Sequence, residues 1–126
     1  MNDVKLTLEL TDYKDNIPAF VTIDQVVAFT WIIDHSNVCL KSSGRYITIK
    51  VRETPEEILR YISALKFTSF ENGNSLYISK DMILMFRQYE YKELYTDIIL
   101  DTIITKPIRV KETPEEIEKI IDADCS

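Results

Sequence analysis

The chain has 126 residues, of which 45% are hydrophobic and 29% charged, with only two Gly and four Pro. That composition excludes a disordered or low-complexity polymer and fits one ordinary domain or two very small ones sharing a core. Fifteen Lys plus Arg against twenty-one Asp plus Glu give a net charge of −6, with the basic residues scattered, which argues against a nucleic-acid surface because such a surface needs clustered Lys and Arg.

Residues 4–10 alternate apolar and polar and predict a strand, and the cluster Thr-Asp-Tyr-Lys-Asp-Asn over 11–16 supplies a turn. Two further runs, 20–23 and the β-branched and aromatic stretch 26–33, continue the sheet until Asp34, His35, Ser36 and Asn37 interrupt it. Runs 38–41 and 45–51 flank a Ser-Ser-Gly turn and read as a hairpin. Thr54 is then an N-cap, Pro55 the first helical residue and Glu57 the partner of a capping box, so a helix starts there with Ile58, Ile62 and Leu65 as its apolar stripe.

The second half repeats the series. Strands are predicted over 65–70, 76–78, 83–91, 95–100 and 103–110, with a turn at 71–74. Residues 80–95 contain good helix formers, yet the β-branched first-half equivalent favours strand. A second helix opens at Thr113 and Pro114 with Glu116 completing its box and Ile117, Ile120 and Ile121 on its apolar side.

The two helix starts are copies. Residues 51–64 and 110–123 share nine of fourteen positions, and Arg52 matches Lys111. Upstream, Val26 to Phe29 fall on Ile83 to Phe86 at an offset of 57, and Lys5 to Thr7 on Lys66 to Thr68 at an offset of 61. An internal duplication follows, with repeats over 1–64 and 65–126. The expected fold is α+β: each repeat a small antiparallel sheet closed by one C-terminal helix, the two related by a pseudo-twofold in a compact body that hides edge strands.

Strand, turn, strand and a hairpin ending in Val-(Arg/Lys)-Glu-Thr-Pro-Glu-Glu-Ile resembles the small flagellar and swarming-motility proteins of the FlbD/SwrD type, and is similar to single-copy sequences of Bacteroidetes and their phages. The resemblance covers each half once. It implies a fold and no catalytic residue, and the turn before the last strand, Ser43-Gly44 in the first half, is Asp101-Thr102 in the second.

No Gly-rich phosphate loop, Ser-His-Asp set or CxxC is present, so no catalytic, cofactor-binding or metal-ligating residue is assigned and no cofactor is expected. His35, the single histidine, reads as a solvated turn residue, and Cys39 as a small core residue. Glu53, Glu56, Glu57, Glu112, Glu115 and Glu116 read as helix-start acids rather than acid–base groups. Phe86, Tyr89, Tyr91 and Tyr95 form a candidate protein interface, because Tyr combines large contact area with a polar tip. Arg52 and Lys111 mark a candidate cleft between the repeats. The expected function is that of a non-enzymatic structural or assembly protein working through protein–protein contacts, as a phage virion or accessory component with a virion or host protein as partner, and an oligomer within its reach. The alternative is a small regulatory or inhibitory protein that binds a host protein or a small ligand between the repeats. With no signal-peptide pattern and no apolar run near the roughly 18 residues that span a bilayer, the expected setting is cytoplasmic or virion-associated, without a membrane partner.

Overall fold

A computed structural model describes residues 6–42, 45–90, 94–100 and 107–125. The period-2 pattern at the start becomes β1 (Thr7–Thr11), which buries Leu8 and Leu10 and turns back into β2 (Pro18–Thr22). Asn16 adopts a left-handed φ of 57° inside that turn, a conformation Asn tolerates. A 3-10 turn at Ile23–Gln25 leads to the meander β3 (Val26–Ile32), β4 (His35–Ser42) and β5 (Arg45–Val51), and then to α1 (Pro55–Leu59). The second half runs β6 (Leu65–Thr68), β7 (Ser75–Ile78), a 3-10 turn at Lys80–Met82, β8 (Ile83–Glu90), β9 (Leu94–Leu100), β10 (Ile108–Val110) and α2 (Pro114–Cys125). Residues 83–90 are thus strand, because in that form Phe86 faces Ile98 on the core side of the sheet.

The strands form three antiparallel sheets: β1-β2, β10-β9-β8 and the central β5-β4-β3-β7-β6. Isolated bridges from Asp12 to Val51 and from Ser69 to Val110 join β1 to the end of β5 and β6 to the end of β10. The ten strands of the described residues therefore stand in one succession of neighbours, β8-β9-β10-β6-β7-β3-β4-β5-β1-β2. Its two ends are β8 and β2.

This arrangement corrects the expected α+β body of two repeats, each closed by its own helix. The protein is mostly β, with one C-terminal helix, α2, of twelve residues. The first half ends in a single turn of five residues, α1. It stops because Leu65, expected on the helix stripe, is the first residue of β6 and pairs with Ile78; extending the helix would pull Leu65 and Phe67 out of the second core. Nor does each half own its sheet, since the central sheet takes β3, β4 and β5 from the first and β6 and β7 from the second. A pseudo-twofold would pair β3 with β7 and β8 with β2, and only the first of these pairings is made.

Two apolar cores flank β3. Val26 and Phe29 join Leu10, Val38, Val51 and Ile58 in one, while Val27 and Ala28 join Phe67, Ile78, Ile98 and Ile117 in the other. Alternation along the strand is broken by a bulge between Val26 and Ala28 that puts the neighbours Val27 and Ala28 on the same side, in the second core, while Val26 and Phe29 face the first, so β3 is buried on both faces. Each fully buried side chain of this size contributes about 1.5–3 kcal/mol relative to exposure.

Candidate functional site

The best-matched segment of the sequence turns out to be a folding device. Thr54 accepts from the Glu57 amide at 3.3 Å while the Glu57 carboxylate accepts from Thr54, and Thr113 and Glu116 repeat the exchange. Glu53 and Glu112, read from the sequence as helix-start acids, do something else. The Glu53 carboxylate accepts from the Thr11 amide (2.8 Å) and hydroxyl (2.9 Å), and Glu112 accepts from the same two groups of Thr68 at 2.9 Å each. Ser36 and Thr96 hydroxyls then donate to the Glu53 and Glu112 carbonyls, both at 2.6 Å. Each glutamate clasps the end of one strand to the segment that follows a distant one.

A polar cluster sits at the turn side of the first half. The Tyr13 hydroxyl donates to Asp34 Oδ2 at 2.5 Å, His35 Nδ1 lies 3.0 Å from Asp34 Oδ1, and the His35 and Tyr13 rings are 4.8 Å apart. Arg52 donates to the Tyr13 carbonyl at 2.7 Å and its guanidinium lies 5.3 Å from the centre of the Tyr13 ring. The bond to Asp34 holds the Tyr13 hydroxyl above its ordinary range, and that bond, with His35 adding to it, holds the Asp34 carboxyl below its own. The bond between Tyr13 and Asp34 ties two turns together. His35 is the first residue of β4 and only 12% of its side chain is exposed, which corrects its reading as a solvated turn residue. Cys39 is half-buried, and burial pushes its thiol up, away from reactivity.

The aromatic candidates divide between faces. Phe86 lies on the core side of β8, whereas Tyr95 on β9 points to the opposite side, its ring 5.1 Å from that of Phe70 and 4.7 Å from the Arg109 guanidinium. The backbone of Tyr89 pairs with Tyr95; its side chain, and all of Tyr91, lie outside the described residues. Arg52 and Lys111 are not brought together: Arg52 engages Tyr13, while Lys111 has its amide on the Thr68 carbonyl and its ammonium beside Gly73.

What the sequence reading missed is the pair of free edges at the ends of the strand succession. At the junction that is made, Phe29 pairs with Tyr77 and the two rings stack at 5.3 Å and 9°. Val27, Ala28 and Tyr77 are buried there. On the two edges that have no neighbour among the described residues, Phe20 of β2 is 68% exposed, and Leu84 and Met85 of β8 are 64% and 43% exposed. The signal available in the sequence was the apolar composition of β2, Pro-Ala-Phe-Val-Thr, and of the first half of β8, Ile-Leu-Met-Phe, ahead of Arg87 and Glu90.

The surface also carries concavities. A groove of about 430 Å³ between α1 and β7 is lined by Trp31, Thr54, Glu56, Lys66, Asn74 and Tyr77. Another of about 310 Å³ lies over β3 and β4, lined by Ala28, Asn37, Cys39, Leu76, Leu100 and Ile108. Among the described residues no group of three or more His, Cys, Asp or Glu could hold a metal ion, and no helix is long and apolar enough to cross a membrane. Compared with protein-family models, curated proteins and solved structures, the chain matches none.

Proposed function

We propose that this chain is a non-enzymatic structural or assembly protein that acts through protein–protein contacts made by its two free strand edges. The observation that carries the reading is the exposure of Phe20, Leu84 and Met85 on β2 and β8, strands that have no neighbour on one side among the described residues. Apolar strand edges of this kind are templates for pairing with another chain. The net charge of −6 and the use of the repeated glutamates in clasps and caps support it. The resemblance to sequences of phages and their hosts makes a virion or its assembly the setting for that role.

The test is elution of the protein in an extract of its native source, wild type against the Phe20→Glu, Leu84→Glu double variant, with circular dichroism confirming that both are folded. Wild type is expected in a larger assembly that the double variant fails to join. Monomeric elution of both overturns the reading. A regulatory protein holding a ligand between the halves is the second reading, favoured by the groove that Trp31 and Glu56 share with Lys66 and Tyr77; its mark would be a loss of binding on Lys66→Ala with assembly unchanged.

A further inference from the structure

Positions in the two halves correspond through their bonding. Thr11 and Thr68 donate the same pair of bonds to Glu53 and Glu112. From there the strand registers match residue for residue: Leu8 faces Val21 as Leu65 faces Ile78, and Glu9 faces Phe20 as Lys66 faces Tyr77. Phe29 faces Val38 as Phe86 faces Ile98, and both β3 and β8 carry a bulge at the same step, between Val26 and Ala28 and between Ile83 and Met85. Phe20 is therefore the counterpart of Tyr77, Phe86 that of Phe29, and Leu84 and Met85 those of Val27 and Ala28.

The chain contains one complete copy of a junction and the two unlike halves of another. In the complete copy β7 lies along β3 with Ala28 facing Ile78, Phe29 facing Tyr77 and Thr30 facing Leu76, and the Ser79 amide donates to the Val27 carbonyl at 2.8 Å. The remaining β3-like edge is β8 and the remaining β7-like edge is β2. Within one molecule they do not pair with each other: among the described residues each has a neighbour on one side only, β1 for β2 and β9 for β8, and Phe20, Leu84 and Met85 are exposed. A partner for β8 must present a β7-like edge with an aromatic residue at its centre, and every other copy of this chain carries one.

Resting on the assembly reading above, we infer that β8 of one molecule pairs antiparallel with β2 of a second copy, in the register β3 and β7 use within the chain. Met85 then faces Val21, Phe86 faces Phe20 and Arg87 faces Ala19, with the Thr22 amide donating to the Leu84 carbonyl. Pro18, which has no amide to donate, stands outside these three pairs. The contact is head-to-tail: two molecules that satisfy both junctions close into a pair, and molecules that do not close continue into a larger ring or a filament.

The directionality supplies the test. Purified wild type is examined by light scattering over a concentration series, beside Phe20→Glu and Leu84→Glu, each altered at an exposed position and checked for fold by circular dichroism. Wild type is expected to self-associate and each variant alone to be monomeric. An equal mixture of the two variants is expected to regain association and to stop at a one-to-one pair, because one supplies an intact β8 and the other an intact β2. Monomeric wild type at every concentration, a variant that still self-associates, or a mixture that stays monomeric each overturns the inference. If purified wild type is monomeric while the double variant still loses its assembly in the native extract, the partner is another protein and only the self-pairing fails; if the extract also shows no difference, both fail.

Discussion

Ile33 occupies a backbone conformation that its side chain opposes. It forms the two-residue turn between β3 and β4 with a φ of 58°, while being 90% exposed. A β-branched residue there costs about 1–2 kcal/mol, and a positive φ at the first turn position is where glycine is preferred. Ile33→Gly is expected to raise stability by about 1 kcal/mol, part of the relief being offset by the greater freedom of glycine in the unfolded chain. Urea unfolding measures it, and an unchanged or lower midpoint would show that the turn is not strained. Across the same turn, Tyr13 and Asp34 titrate in opposite senses. The Tyr13 phenol is raised in the fold, so its contribution to stability is present below the ordinary value of 10.0 and is lost as pH rises through the higher folded value; Asp34 is lowered, so its contribution is present above its ordinary 3.8 and is lost as pH falls through the lower folded value. Phenolate absorbance should show one tyrosine ionising late, and Tyr13→Phe should remove that component; a titration without a late component would count against the bond. None of this was legible in the sequence, because Tyr13 and Asp34 are 21 residues apart and nothing local links a turn tyrosine to a second turn.

Between elements, the glutamate clasps outrank the helix caps. A hydrogen bond to a charged group contributes about 1.5–3 kcal/mol, and Glu53 accepts two from Thr11 at a part-buried site. Glu53→Ala is expected to cost about 2–4 kcal/mol in urea unfolding, since it leaves the Thr11 amide without its acceptor, whereas Thr54→Ala should cost about 1 kcal/mol. Equal losses would mean that the clasp is no stronger than an exposed cap. The caps were readable because a capping box is local: Thr54, Pro55 and Glu57 announce it within four residues. So were the alternation in β1 and the β4–β5 hairpin, where pattern and neighbouring turn agree. The clasps were not, because their partners lie 42 and 44 residues upstream. The same blindness put Lys5 to Thr7 opposite Lys66 to Thr68, when the bonding sets Thr11 against Thr68. Glu9 and Lys66 differ too much in kind for sequence matching to align the strands around them.

For the molecule as a whole, strand content was legible and strand partnership was not. Each apolar run declares that it will lie in a sheet, but which edge meets which is decided by contacts between residues far apart, above all Phe29 with Tyr77. The boundary at residue 64 consequently cuts a sheet. A fragment of residues 1–64 would uncover Val27 and Ala28, which are buried against the second half, and would remove Tyr77 from the first core. It is expected to be unfolded or aggregated by circular dichroism and light scattering, and a well-dispersed amide spectrum from a monomeric fragment would disprove the dependence. That dependence also has a direction in time. Thr30 waits for the carbonyl of Ser75, 45 residues later, so for part of its synthesis a first half leaves the ribosome with a vacant place on β3. Two nascent chains growing side by side on one message can fill that place for each other, trading second halves before either is finished, and the outcome would be an interlocked pair that dilution does not separate.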